Sequence, residues 1–168
     1  LTRLLAYLEV ERASSRRCVL SVDLEGFFQG CNPSLSLLQI STFHDGAQEQ
    51  LTYIFDVFAD PSALHARGER TLRALLEDES VIKVFHSGHN DFRVLFYGYG
   101  ITVRGAFDTS IADAVLRGKH HNSSRGLASV LQDWVGNEAH LPLKGSVEFD
   151  LIFQRPLSYK FYCYSYQD

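Results

Sequence analysis

Four acidic residues stand where an acid is costly or oddly placed, and their types and spacing decide what chemistry this chain can do. Asp23 and Glu25 occupy positions i and i+2 in Val22-Asp23-Leu24-Glu25-Gly26. In a strand alternate side chains share a face, so both carboxylates point the same way with their Cα atoms ~7 Å apart. Val19, Leu20, Val22 and Leu24 give that strand a central character. Two like charges there repel and resist desolvation unless a cation joins them. The plainer reading is a strand end opening into solvent. Asp91 lies in His86-Ser87-Gly88-His89-Asn90-Asp91, between a buried strand and a helix. An acid in a first helical turn is favoured by the macrodipole and needs no function to explain it. Tyr164 and Asp168 stand at i and i+4, on one face of a helix. A hydroxyl beside a carboxylate can position a water for attack; Phe161, Tyr162, Tyr164 and Tyr166 also read as an aromatic core stripe.

Taken in order, a strand Asp-x-Glu, a strand-to-helix Asp and a helical Tyr-x-x-x-Asp point to one site. Hard oxygen ligands converging without Cys suit Mg²⁺ or Mn²⁺ rather than zinc. Two such ions ~3.5–4 Å apart can activate a water and stabilise the leaving oxygen of a phosphodiester. Other residues fit a nucleic-acid substrate. Phe27, beside Phe28 and just after Glu25, can stack on a terminal base or simply pack in the core. His86 and His89 can touch substrate, although His86 ends a buried strand and reads first as a satisfied core or loop histidine. Arg117-Gly118-Lys119-His120-His121, with Arg125, is a local basic loop able to track a phosphate backbone or to stand as a solvated turn. Asp108 reads as a helix N-cap.

The elements that must position these groups follow from periodicity. Leu1–Arg17 reads as a short amphipathic helix through Leu4, Leu5 and Leu8, ending in a charged stretch. Strand-like runs cover Cys18–Glu25, Leu35–Phe43 after the turn at Cys31-Asn32-Pro33, and Leu51–Val57 after His44-Asp45-Gly46. Connections this short imply antiparallel hairpins. From Asp60-Pro61 the period becomes helical, with Leu64, Leu72, Leu75 and Leu76 on one helix running into Glu77-Asp78-Glu79. Val81–Phe85 is a buried strand. The helix after it is capped by Ser87 or Asn90, carries the stripe Phe92, Leu95, Phe96 and Tyr99, and ends at Gly98 and Gly100. Ile101–Phe107 is a weak strand, Asp108-Thr109 opens a helix through Leu116, and Leu127, Val130, Leu131 and Trp134 mark another. A last helix follows Arg155-Pro156-Leu157-Ser158. The pattern is that of a mixed α/β sheet with helices on its faces.

At 168 residues the chain has the size of one domain, and 45% hydrophobic content with 12 Phe, 8 Tyr and 1 Trp can fill a core, which excludes a disordered chain. No apolar run approaches the ~20 residues of a membrane span, and no secretory signal opens the chain. The expectation is therefore no membrane partner. Cys18, Cys31 and Cys163 are odd in number and lack CxxC spacing, so a disulfide framework or structural zinc is not indicated, and a reducing, intracellular compartment, nuclear or cytoplasmic, is expected. The net charge of −4 gives no global cationic field to recruit nucleic acid. With the four acids set aside, the remainder is neutral. A start at Leu1 with no Met anywhere reads as a piece of something longer.

In this order the residues resemble the DEDDy branch of the 3′–5′ exonucleases, within the ribonuclease H-like fold. Ser21-Val22-Asp23-Leu24-Glu25-Gly26 resembles the first motif. Lys83-Val84-Phe85-His86 followed by Asp91 resembles the second, in the His-x-x-x-x-Asp form of ribonuclease D, the eukaryotic exosome exonuclease and the Egalitarian-like group. Phe107-Asp108-Thr109 with Ile111-Ala112 is similar to the segment that follows there. Lys144, Arg155-Pro156-Leu157-Ser158, Tyr164 and Asp168 resemble the third motif. The resemblance runs from about Cys18 to Asp168. It implies an α/β, ribonuclease H-like mixed sheet, three antiparallel strands and then parallel ones, flanked by helices. Residues 1–17 would form a helical lead-in, and residues 18–168 an exonuclease domain cut short at the third motif. It also implies that Asp23, Glu25 and Asp168 hold the first of two Mg²⁺ or Mn²⁺ ions and that Asp23 bridges to the second. Asp91 would act on that second ion through water, and Tyr164 would orient the attacking water. Cys163 stands where the DEDDh branch has His. Ile152 stands where the family often has Trp, and the chain stops at Asp168 where the family's last helix usually continues.

The function implied is metal-dependent 3′–5′ hydrolysis of single-stranded nucleic acid, RNA before DNA, releasing nucleoside 5′-monophosphates. Two alternatives remain beside it. One is a pseudo-exonuclease that binds RNA or assembles protein partners through flanking domains; the other is a DNA 3′–5′ exonuclease. Retained like charges favour an enzyme over a binding platform.

Overall fold

The computed structural model describes residues 1–14, 17–28, 34–42, 51–120 and 123–136. Its elements in chain order are α1 (Thr2–Ala13), β1 (Cys18–Phe27), β2 (Ser34–Thr42), β3 (Thr52–Asp56), α2 (Ser62–His65), α3 (Leu72–Glu77), β4 (Val81–Phe85), α4 (His89–Tyr99), β5 (Ala106–Asp108), α5 (Thr109–Leu116) and α6 (Leu127–Trp134). The five strands form one sheet in the order β3-β2-β1-β4-β5. The pairs β3/β2 and β2/β1 are antiparallel, while β1/β4 and β4/β5 are parallel. A parallel partner for β1 requires a crossover, and α2 and α3 supply it. The expected mixed α/β architecture is therefore the observed one.

β1 is the central strand, and its alternation separates two kinds of chemistry. Cys18, Leu20, Val22 and Leu24 are buried in the main core. Ser21, Asp23, Glu25 and Phe27 alternate with them and so project from the other face. Opposite β1, the β2 register runs Val22↔Ile40, Asp23↔Gln39, Leu24↔Leu38 and Glu25↔Leu37, then skips to Gly26↔Leu35. Ser36 is thus the extra residue of a β-bulge just past the acidic pair. Leu4 and Leu8 of α1, Leu72, Leu75 and Leu76 of α3, and Val94 and Leu95 of α4 join the core cluster of β1. Each fully buried leucine contributes roughly 1.5–3 kcal/mol. The N-terminal helix is therefore part of the core.

Several local expectations are corrected. The single helix drawn through Leu64 and Leu76 is two short helices, because Ala66 leaves the helix in an extended conformation and Gly68 takes φ +119. Thr71 then caps α3 by accepting from the Ala74 amide at 3.1 Å. The strand expected over Ile101–Phe107 is confined to Ala106–Asp108; Ile101 instead donates its amide to Leu95 O as the chain leaves α4. Neither Ser87 nor Asn90 caps α4: Gly88 is the N-cap, and Gly100 closes the helix at φ +64, with Gly98 inside it. The buried face of α4 is Asp91, Val94 and Leu95, and Phe96 of the expected stripe is 52% exposed. In α6 only Val130 is buried. The helix expected after Ser158 lies outside the described residues.

Two buried cations were not foreseen. Lys83 is fully buried in β4, where strand alternation aligns it with Val81 and Phe85, and its Nζ donates to Asp78 O. Burial pushes its pKa down to about 8 against the opposing pull of Asp78 and Glu79. Arg73 donates to Gly100 O at 2.8 Å and to Tyr99 O, placing a cation on the negative end of α4.

Candidate active site

Asp23 and Glu25 project from one face of the central strand, Asp23 exposed and Glu25 half-buried. Their shared direction is covalent geometry. What brings Asp91 towards them is the turn between β4 and α4. Ser87 adopts φ +58, a left-handed conformation unusual for a residue with a Cβ. At Gly88 a Cβ would lie 2.9 Å from Phe85 Cβ and 3.1 Å from Phe92 Cζ, so only glycine fits there. This tight turn starts α4 abruptly and leaves Asp91 in its first turn, 8% exposed.

Asp108 fastens the turn from the neighbouring strand. Its carboxylate accepts from the amides of Ser87 at 3.1 Å and Gly88 at 2.8 Å. It also accepts from the Ser110 amide at 2.8 Å and the Ser110 hydroxyl at 2.7 Å, as the N-cap of α5. The cap expected from sequence is thus one half of a double role. Burial alone would raise the Asp108 pKa; these hydrogen bonds together outweigh it and hold the carboxyl below its ordinary range.

At Asp91 the balance is reversed. Burial first, and then the charges of Asp23, Glu25 and Asp108, push its pKa up to about 8. The dipole of α4, which the sequence offered as sufficient reason for an acid here, is outweighed. Asp91 and the Asp23/Glu25 pair, far apart in the chain, therefore share one electrostatic site, which favours the protonated form of Asp91 more than water does. Carboxylates crowded in this way repel one another, and a divalent cation placed among them would relieve that repulsion. All the donors are carboxylate oxygens, the set that Mg²⁺ or Mn²⁺ takes. Among the described residues no three His, Cys, Asp or Glu side chains close into a metal-holding group by themselves. Asp168 and Tyr164, the remaining expected members, lie outside the described residues, as do Lys144 and Arg155.

The other expected contact residues are placed as follows. Phe27 is 48% exposed on the face of Asp23 and Glu25, whereas Phe28 packs against the core. His89 is exposed at the start of α4. His86 is tied on both sides: Nδ1 lies 2.8 Å from Thr109 Oγ1 and Nε2 2.9 Å from Arg125 O. Arg117 and Arg125 are engaged with Asp113, a buried residue of α5. Arg117 Nε donates to it at 2.9 Å, Arg125 NH2 at 2.6 Å and Trp134 Nε1 at 3.0 Å. Those donors, Arg125 and Arg117 foremost, hold the Asp113 carboxyl well below the usual range. A desolvated carboxylate outcompetes solvent for the two guanidiniums, which explains why they fold inward. Lys119, in the same loop, is exposed. The sequence signal for the hub was available in Asp113 and Arg117 at helical i, i+4 spacing.

Residues 3–168 match the family described as 3′–5′ exonuclease. The mouse and human proteins named piRNA biogenesis protein EXD1 are 32% identical over 100 residues and 33% identical over 97, covering 60% and 58% of this chain. The chain spans only 16% and 17% of their lengths. A Trypanosoma brucei RNase D complex with GMP superposes with a TM-score of 0.69 at 19% identity, over 94% of this chain and 49% of that one. Brucella melitensis NrnC with bound Mg²⁺ superposes at 0.60 with 24% identity, over 88% of this chain and 64% of that one. Escherichia coli RNase D shares the fold at 0.60 with 22% identity, over 95% of this chain and 37% of that one. With all but its first two residues inside the matched region, the chain belongs to the 3′–5′ exonuclease family.

Proposed function

We propose that this chain is a metal-dependent 3′–5′ exonuclease domain that shortens single-stranded nucleic acid, RNA in preference to DNA. The observation that carries the reading is the Asp91 carboxyl, 8% exposed at the start of α4 and set within the repulsive field of Asp23 and Glu25. Like charges gathered at this cost have no packing purpose, and a divalent cation relieves them. Asp23, Glu25 and Asp91, with Asp168, would hold two Mg²⁺ or Mn²⁺ ions, whose chemistry when bound is to activate a water and stabilise a leaving oxygen.

The chain's own residues supply the rest. Asp91, whose pKa burial and neighbouring charges hold above its ordinary value, would release its proton where it helps to hold a cation. Phe27, open to solvent beside the acidic pair, stacks on the terminal base. Tyr164 orients the attacking water, as the family resemblance implies. Water attacks the last phosphorus in line, the bond from phosphorus to the 3′ oxygen breaks, and the proton passes to that oxygen. The products are a nucleoside 5′-monophosphate and a strand shorter by one with a free 3′ hydroxyl. RNA is favoured because relatives of this fold have been solved with RNA U12 and with GMP, and because the curated relatives are named for piRNA biogenesis.

The test is a 5′-labelled single strand of RNA or DNA incubated with Mg²⁺ or Mn²⁺. Stepwise shortening from the 3′ end, faster on RNA and lost in Asp23→Asn, is the expected result. No shortening, or equal shortening by Asp23→Asn, overturns the reading. RNA retained in chelator without any cutting would instead mark a binding module.

A further inference from the structure

Gln39 is 5% exposed in β2, and its side-chain Nε2 has no hydrogen-bond partner among the described residues. A buried amide without a partner is a standing cost to the folded chain. The sheet register identifies which group can relieve it. Directly opposed residues of an antiparallel pair share a face, with Cβ atoms ~4.5–5.5 Å apart. Gln39 opposes Asp23 on β1 and Ile54 on β3. Its same-face neighbours along β2 are Leu37 and Ser41. Ile54 and Leu37 are apolar, and the Ser41 hydroxyl, already paired with Thr52 Oγ1 at 2.8 Å, offers only a remaining lone pair of a neutral oxygen. Glu25 opposes Leu37 and is a diagonal neighbour, farther away. The charged acceptor that the register sets directly across from Gln39 is the Asp23 carboxylate.

We propose that Gln39 is a positioning residue for Asp23: its amide N–H is given to the Asp23 carboxylate when the acidic site holds a divalent cation, fixing the orientation in which Asp23 serves as a ligand. The inference rests on the metal-dependent reading above. Carboxylates that hold metals are commonly oriented by a hydrogen-bond donor behind them, and the Gln39 amide is a donor without a partner among the described residues. Ionised Asp23 has only acceptors to offer, so a neutral amide suits it without cancelling its charge.

Two measurements on the chain test this. The first follows the Gln39 side-chain NH₂ resonances as Mg²⁺ is added. They shift in the wild type and stay in place in Asp23→Asn. The second compares wild type with Gln39→Met, which keeps the side chain's length and removes its donors, by following the melting temperature against Mg²⁺ or Mn²⁺ concentration. Without cation the variant melts at the same temperature or higher, while the cation concentration giving half the stabilisation rises about tenfold. A merely structural glutamine would show the reverse, a lower metal-free melting temperature with an unchanged cation midpoint, and that result overturns the proposal. Cation-induced stabilisation in the wild type with stationary Gln39 resonances overturns it as well, leaving the exonuclease reading intact. A wild type with no response to either cation overturns the metal-dependent reading and this inference together.

Discussion

Asp108, at the end of β5, accepts hydrogen bonds from the backbone amides of Ser87 and Gly88, 21 and 20 residues earlier in the chain. One carboxylate thereby starts α5 and secures the left-handed turn from which α4 carries Asp91. Replacing it removes a helix cap and strands two turn amides. Asp108→Ala is expected to lose about 2–3 kcal/mol of stability and to speed hydrogen exchange at the Ser87 and Gly88 amides. Asp108→Asn, which keeps one acceptor oxygen, loses less. Unchanged exchange at those two amides would show that the turn holds itself.

On the metal-dependent reading, a proton on Asp91 and a divalent cation would compete for one place. With its pKa raised from an ordinary 3.8 to about 8, Asp91 stabilises the metal-free fold fully below pH ~4, and that contribution is lost as pH rises through about 8. In chelator the wild type therefore falls in stability from pH 5 to 8 relative to Asp91→Asn. Added Mg²⁺ or Mn²⁺ reverses the fall, and the concentration needed decreases from pH 6 to 8. Parallel pH profiles for wild type and Asp91→Asn, measured by thermal unfolding, would contradict this.

Lys83 titrates with the opposite sense and away from the acidic site. Its folded pKa near 8 lies below the ordinary 10.5, so between these values the unfolded chain binds the extra proton and stability rises with pH. Lys83→Met removes that rise. It is neutral or stabilising at pH 7, since a well-packed apolar side chain often replaces a buried charge without loss. Urea unfolding at pH 7, 8, 9 and 10 measures both effects; a variant that keeps the wild-type slope would refute the assignment.

Phe27 is 48% exposed on the face of the acidic pair, so on the proposed reading its removal is expected to touch binding more than folding. Phe27→Ala is expected to leave the melting temperature within about 1 °C while weakening strand binding by about 1–3 kcal/mol, roughly five- to more than a hundredfold. Fluorescence anisotropy of a labelled oligonucleotide reads the affinity. An unchanged affinity would return Phe27 to an ordinary surface aromatic.

What could be read from the residues and what could not divide along a physical line. Alternation on β1 is local, so the common direction of Asp23 and Glu25 and the apolar back of that strand were legible. So were the α5 start at Asp108 and the hairpin order of β1 to β3. The long helix through Leu64 and Leu76 was misread because spacing alone does not reveal where Gly68 breaks the backbone. The strand at 101–107 was overdrawn because β-type residues there follow the α4 exit rather than a ladder.

The amino-acid sequence alone determined which groups are acidic and that Asp23 and Glu25 share one face of their strand; side-chain chemistry and Cβ alternation settle these without a fold. Only the tertiary structure decided that Asp91 is buried within the field of Asp23 and Glu25, that Lys83 is interior, and that Gln39 stands across from Asp23. Each of these depends on strand order and register, and register arises from packing between segments far apart in the chain, which no local pattern encodes.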